Sequence, residues 1–147
     1  MSRLRVLALA SCAWAAISGD VRAQAAAPYA RAMSGVREFR LGLTAVKVLI
    51  DSATLGGPEL EMAHLTFPPG GTPRSHGHGR VEVLYVLSGE MDHVVNGVSH
   101  PLKPGMAGVV RPGDQVMHRV TSSDSVRVLV IWAPGGELAR IAPRPPE

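Results

Sequence analysis

From Arg37 to Trp132 the chain is written in short runs. Apolar, β-branched stretches last five to nine residues, and Gly, Pro or Asn then breaks each one. This rhythm predicts strands over residues 45–51, 59–67, 81–87, 91–95, 98–102, 106–110, 116–120 and 126–132. The run 81–87, rich in Val, Leu and Tyr, is the clearest of them. In 59–67 the period of two puts Leu60, Met62 and His64 on one face. Asn96-Gly97 between two strands is a two-residue hairpin signal, because that turn needs left-handed backbone at both positions. One short helix is expected over 137–141. There is no long stretch of helical period, no internal repeat and no second domain. The fold class expected is all-β, a sandwich or barrel filling 37–141.

Composition agrees with this reading. The 147 residues include 46% hydrophobic and 18% charged residues, with 16 Gly and 12 Pro, which suits one modest core with tight turns. The N-terminus changes the charge picture. Arg3 and Arg5 precede an uncharged run of about a dozen residues, too short to span a bilayer, and Val21-Arg22-Ala23 follows with small residues where a signal peptidase reads. Residues 1–23 are therefore expected to be a signal peptide, with residues 25–27 as an alternative cleavage region, and 24–36 a lead-in. Removing Arg3, Arg5, Arg22 and Asp20 takes the net charge from +3 to +1. A near-neutral body offers no electrostatic case for nucleic acid, and no membrane attachment is expected after cleavage. Periplasmic or secreted location follows. Cys12, the one cysteine, lies in the apolar run, where Leu9-Ala10-Ser11-Cys12 resembles a lipoprotein box; lipidation is the lesser alternative. The mature chain would have no thiol, so any metal must be held by His and carboxylate. Residues 142–147 form a Pro-rich tail.

The chemistry is concentrated in residues 70–89: Gly70, five residues, His76, one residue, His78, three residues, Glu82, six residues, Gly89. In an extended segment His76 and His78 project to one face, and Glu82 can return to it by the same parity. Two histidines and a carboxylate with open positions suit Fe(II) and related metals that bind substrate or dioxygen. A fourth ligand should come from a later strand, and His118, after the Pro112-Gly113 turn, offers itself. His93 and His64 could line the pocket and stand next as ligands, with a plain core or surface role equally open for each. His100, at a hairpin end before Pro101, is expected to face solvent. Arg74 and Arg80 flank the ligand loop and could receive an anionic group, although solvated loop positions are the plainer expectation for both. Tyr85 and Trp132 are expected in the core, and Met91, Met106 and Met117 as lining or packing.

Residues 70–89 resemble the first motif of the cupin superfamily at every defining position, and 105–118 is similar to the second. The second departs in two respects. His118 stands five residues after Gly113, where cupins usually have three, and Ser122 replaces the usual Asn. The resemblance implies a jelly-roll barrel, one divalent metal held by His76, His78, Glu82 and His118, and a homodimer. A dimer would also protect barrel edges.

The expected function is an exported mononuclear-metal enzyme, a dioxygenase-like oxidoreductase acting on a small oxygen-bearing substrate, with Glu82, His93 and Arg74 as candidate catalytic groups. Fe, Mn, Ni, Cu and Zn all remain open, since export unfolded would leave loading until afterwards. The alternatives are a non-catalytic metal- or sugar-binding jelly roll, a metal that only staples the barrel, and a metal-dependent isomerase or lyase of the same fold.

Overall fold

A computed structural model describes residues 37–71 and 74–142; the expected signal peptide, the lead-in and most of the tail lie outside them. Ten strands and two short helices follow one another as β1 (Arg37–Leu41), β2 (Thr44–Ile50), α1 (Ser52–Leu55), β3 (Glu61–Phe67), β4 (His76–Gly77), β5 (Val81–Ser88), β6 (Met91–Val95), β7 (Val98–Leu102), β8 (Ala107–Val110), β9 (Gln115–Val120), β10 (Val126–Ala133) and α2 (Glu137–Ile141). Strands β1-β2-β3-β10-β5-β8 make one sheet, and β4-β9-β6-β7 make the other. Every pair is antiparallel. From β5 onward the chain passes back and forth between the two sheets, which is the all-β jelly roll expected. Among the described residues no helix is long and apolar enough to cross a membrane.

The core lies between the sheets. Val46, Val48, Leu84, Val86, Val128 and Trp132 are all almost fully buried there. Strand β5 shows how parity sorts its residues: Glu82, Leu84 and Val86 point inward, while Tyr85 and Leu87 point out. Tyr85 is 44% exposed, so it does not belong to the core as expected, whereas Met106, 45% exposed, lines a small cavity. Met91 does, and Met117 is partly buried. In β3 the inward face is Glu61, Ala63 and Leu65, opposite to the Leu60–Met62–His64 face. His64 consequently stands on the outer side, where its Nε2 accepts a hydrogen bond from Arg127 Nε at 3.3 Å, and it does not line the cavity.

Local chemistry explains the connections. Asn96 and Gly97 both take positive φ, 51° and 82°, as a tight hairpin turn demands. The Asn96 side chain then ties this turn to the loop before β9, donating to Asp114 Oδ1 at 2.7 Å and accepting from the Gln115 amide at 2.9 Å. Helix α1, which the sequence pattern does not announce, is one turn closed by a reciprocal cap: Asp51 accepts from the Thr54 amide and Thr54 Oγ1 accepts from the Asp51 amide. Helix α2 falls on the residues expected.

Candidate metal centre

Strand β4 is only two residues long, held by pairing of His76 with Val116 in β9. It carries His76 to the rim of a cavity, and His78 follows it inside. Glu82 enters from the inward face of β5, and His118 from β9. These four side chains, from two sheets, line one cavity of about 600 Å³. His78 Nε2 lies 3.1 Å from Glu82 Oε2, and His118 Nε2 lies 3.6 Å from Glu82 Oε1. The His76 ring centre is 4.9 Å from that of His78 and 5.6 Å from that of His118.

Hydrogen bonds decide which way two of the imidazoles face. His78 Nδ1 meets Glu137 Oε1 at 2.9 Å, and His76 Nδ1 meets the Arg74 carbonyl at 3.0 Å. Both partners can only accept, so both Nδ1 atoms carry the proton and both Nε2 atoms present a lone pair. Glu137 is itself buried and bound by Arg140. Burial raises its carboxyl, but hydrogen bonds from Arg140 and His78 outweigh this and hold it below its ordinary value. Helix α2 is locked down by Glu61, whose Oε2 accepts from the Leu138 amide at 2.8 Å. Arg140 also donates to the Gly77 carbonyl, which ties α2 to β4.

Glu82 lies 3% exposed with one oxygen committed: Oε2 accepts from Trp132 Nε1 at 2.8 Å. Trp132 is thus core, as expected, and also orients the carboxylate. Burial pushes Glu82 up, but contacts with His118 and His78 and the indole N–H together hold it below the usual carboxylate range. Its Oε1 and His78 Nε2 are buried without a hydrogen-bond partner. A buried polar atom left unpaired is costly and calls for an explanation.

His93 is 2% exposed and sits behind His118, its direct neighbour across the β6–β9 pair. The two rings stack at 5.2 Å with their Nδ1 atoms 3.4 Å apart. Burial, then the charge of His118, push His93 down to about 4, so it is neutral at physiological pH. Its ring is accommodated by Gly108, where a Cβ would approach within 2.8 Å. His93 borders a second, smaller cavity of about 350 Å³, not the one holding His76, His78, Glu82 and His118. His100 is exposed, as expected. Arg74 lines the main cavity at its rim. Arg80 turns away and donates to the Gly135 carbonyl at 3.2 Å.

Among the described residues no group of three or more His, Cys, Asp or Glu side chains is placed so that it could hold a metal ion. The donor chemistry nevertheless fits a divalent ion. Ligands about 2.1 Å from one ion and at right angles stand about 3 Å apart; the free Glu82 Oε1 lies 3.6 Å from His118 Nε2, and His78 Nε2 lies 3.1 Å from the Oε2 that Trp132 holds. The unpartnered Glu82 Oε1, the lone pair of His78 Nε2 and that of His76 Nε2 are what such an ion would satisfy.

A family model of the cupin domain matches residues 63–132. Over those residues the chain is similar to the cupin domain, and it has the cupin fold. No curated protein sequence matches it. Solved cupins share its fold. KdgF from Halomonas is 20% identical, with a TM-score of 0.58 over 69% of this chain and 89% of that one. A predicted oxalate decarboxylase from Thermotoga maritima is 22% identical, at 0.56 over 62% and 80%. The ectoine synthase of P. lautus is 18% identical, at 0.61 over 71% and 73%. At such identities the likeness extends to the fold, and these cupins differ widely in what they do.

Proposed function

We propose that this cupin is an exported enzyme holding one divalent metal, Fe, Mn, Ni, Cu or Zn, through His76, His78, Glu82 and His118, and that it oxidises a small oxygen-bearing substrate with dioxygen. The observation that carries the reading is the pair of buried, unpartnered atoms, His78 Nε2 and Glu82 Oε1, aimed into a cavity whose neighbouring imidazole also presents its lone pair. When bound, the metal would supply Lewis-acid and redox chemistry at open coordination positions.

The chain's own residues do the rest. Glu137 and the Arg74 carbonyl keep the protons of His78 and His76 on Nδ1. His93, neutral, can accept the Nδ1 proton of His118 and turn its Nε2 inward. Trp132 fixes one carboxylate oxygen of Glu82 and leaves the other free. Arg74 stands at the rim as the group to meet an anionic substrate. The surrounding apolar walls exclude bulk water from the polar cluster.

A second reading, a metal-binding module without turnover, or a metal-dependent isomerase or lyase, is favoured by one observation. His93, the expected acid–base candidate, lies behind His118 and has no face on the main cavity. A homodimer belongs to the same proposal, because Tyr85, Leu87 and Val109 leave apolar surface exposed on the outer side of β5 and the edge strand β8. The deciding measurement is metal content by mass spectrometry for the wild type, His76→Ala and His118→Ala. Near-stoichiometric metal that both substitutions abolish is expected. Absence of metal after loading with each of the five ions would remove the enzyme reading.

A further inference from the structure

The main cavity has two unlike parts. At one side stand the three imidazoles, Glu82 and Arg74. The remaining walls are hydrocarbon, with Leu41, Leu65, Phe67, Val120, Val128 and Ile141 among them. The indole N–H of Trp132 is already committed to Glu82. Among the described lining residues Thr44 is then the only other side chain with a hydrogen-bonding group.

We infer that the cavity takes an amphiphilic small molecule, with one oxygen-bearing end at the His/Glu cluster and an apolar body of several carbons against the Leu and Val walls. The seat of the oxygen-bearing end rests on the function proposed above; the apolar body rests on the walls alone. A sugar acid or a short dicarboxylate fits poorly. Beyond the cluster only the Thr44 side chain could meet a buried hydroxyl or carboxylate, and an unpaired buried polar group lowers affinity by about tenfold or more. An alkyl or aryl body has the opposite sign, since each buried methylene tightens binding about threefold.

A second observation points the same way. Strands β1 and β2 are joined by the two-residue turn Gly42-Leu43, with Leu41 paired to Thr44. All four residues line the cavity. Such tips usually carry polar residues, yet Leu43 stands there 62% exposed, its carbonyl held by Arg40 Nη1 at 3.2 Å. An exposed leucine on a cavity rim contributes little to the empty protein. It contributes when an apolar ligand covers it. Leu43 is therefore a specificity-determining residue that acts only in the complex.

The test is calorimetric titration of the metal-loaded full chain with straight-chain carboxylates from acetate to decanoate, and with galacturonate and oxalate. The same series is run after chelation and on Leu43→Ser. The expected result is affinity rising about threefold per methylene up to about eight carbons, with galacturonate and oxalate weaker than octanoate. Leu43→Ser should weaken octanoate three- to tenfold while leaving acetate binding and the melting temperature unchanged. Three results would overturn the inference: no chain-length dependence, galacturonate or oxalate binding tighter than octanoate, or a chain-length dependence that Leu43→Ser leaves untouched, which puts the alkyl chain elsewhere. Failure of the metal reading looks different. A chain-length series surviving chelation with unchanged affinities removes the metal from the site and leaves the apolar inference standing. Stoichiometric metal with a flat series removes this inference alone.

Discussion

Three buried glutamates lie in this barrel, and they are used in two ways. Glu61 and Glu137, at the α2 side, face committed donors: Ser52 Oγ and the Leu138 amide for Glu61, His78 and Arg140 for Glu137. Glu82, on the cavity side, has the indole on one oxygen and no hydrogen bond on the other, which His118 Nε2 approaches only to 3.6 Å. All three are at most 3% exposed, so burial alone does not separate a structural carboxylate from a functional one. What does is a buried oxygen left without a hydrogen bond, which Glu82 has at Oε1 and the other two lack. A carboxylate without such an oxygen holds the frame, and one with it waits for a partner.

That contrast can be broken at several points. The largest effect is expected from Glu82→Ala. Metal content should fall to background, and the stabilisation that saturating metal gives, about 4 kcal/mol at a thousandfold excess over Kd, should vanish. In chelator the variant should lose about 1–3 kcal/mol of stability, because the buried Trp132 indole N–H is left without an acceptor. Glu61→Ala should leave metal content unchanged. Leaving the Leu138 amide unpaired should lower urea-unfolding stability by about 1–3 kcal/mol, metal or no metal. Glu137→Ala stands between the two, with metal affinity down about 10- to 100-fold by competition with a chelating dye. Glu137→Gln should recover much of that loss, since its amide oxygen still accepts the His78 Nδ1 proton. If Gln fails where Ala fails, tautomer control is not the role of Glu137.

Gly108→Ala tests the back of the site. Its new methyl group would meet the His93 ring, so a loss of about 1–3 kcal/mol is expected, with weaker metal binding if His93 does steady His118. The smallest effect concerns pH. His93 titrates at about 4 when folded and at its ordinary 6.5 when unfolded. The unfolded chain therefore binds more protons between those values, and metal-free stability should decline as pH falls from 6.5 towards 4. Between pH 6.5 and 5 the carboxylates contribute little, but His76 and His64, also lowered by burial, contribute with the same sign, so His93→Gln should reduce the decline measured there by thermal melts without abolishing it.

Much of the site was readable before any coordinates. The spacing of His76, His78 and Glu82 told of convergence because strand parity is rigid, and those three do meet with His118 in one cavity. Asn96-Gly97 announced its turn through backbone sterics alone. The same parity could have placed Tyr85: once Glu82 faces inward, residue 85 must face out. Hydrophobicity pointed the other way, since an apolar strand does not declare which side is the core. His64 takes the surface role of the two open to it, because the inward side of β3 contains Glu61, a residue that looks like surface until the Leu138 amide is found 77 positions on. Glu137 was legible only as the start of a short helix. Its tie to His78 spans 59 residues of chain, and no local pattern encodes a contact of that range.

That long tie has a consequence in time. A ribosome makes His76, His78 and Glu82 well before it reaches Glu137, and β9 with His118 also comes first. Until α2 docks, nothing holds the His78 proton on Nδ1, and the Gly77 carbonyl lacks its Arg140 donor. The order of synthesis thus makes the last helix a clasp. A half-made chain carries all four candidate donors without the arrangement that orients them, and so is poorly equipped to capture whichever ion it meets first.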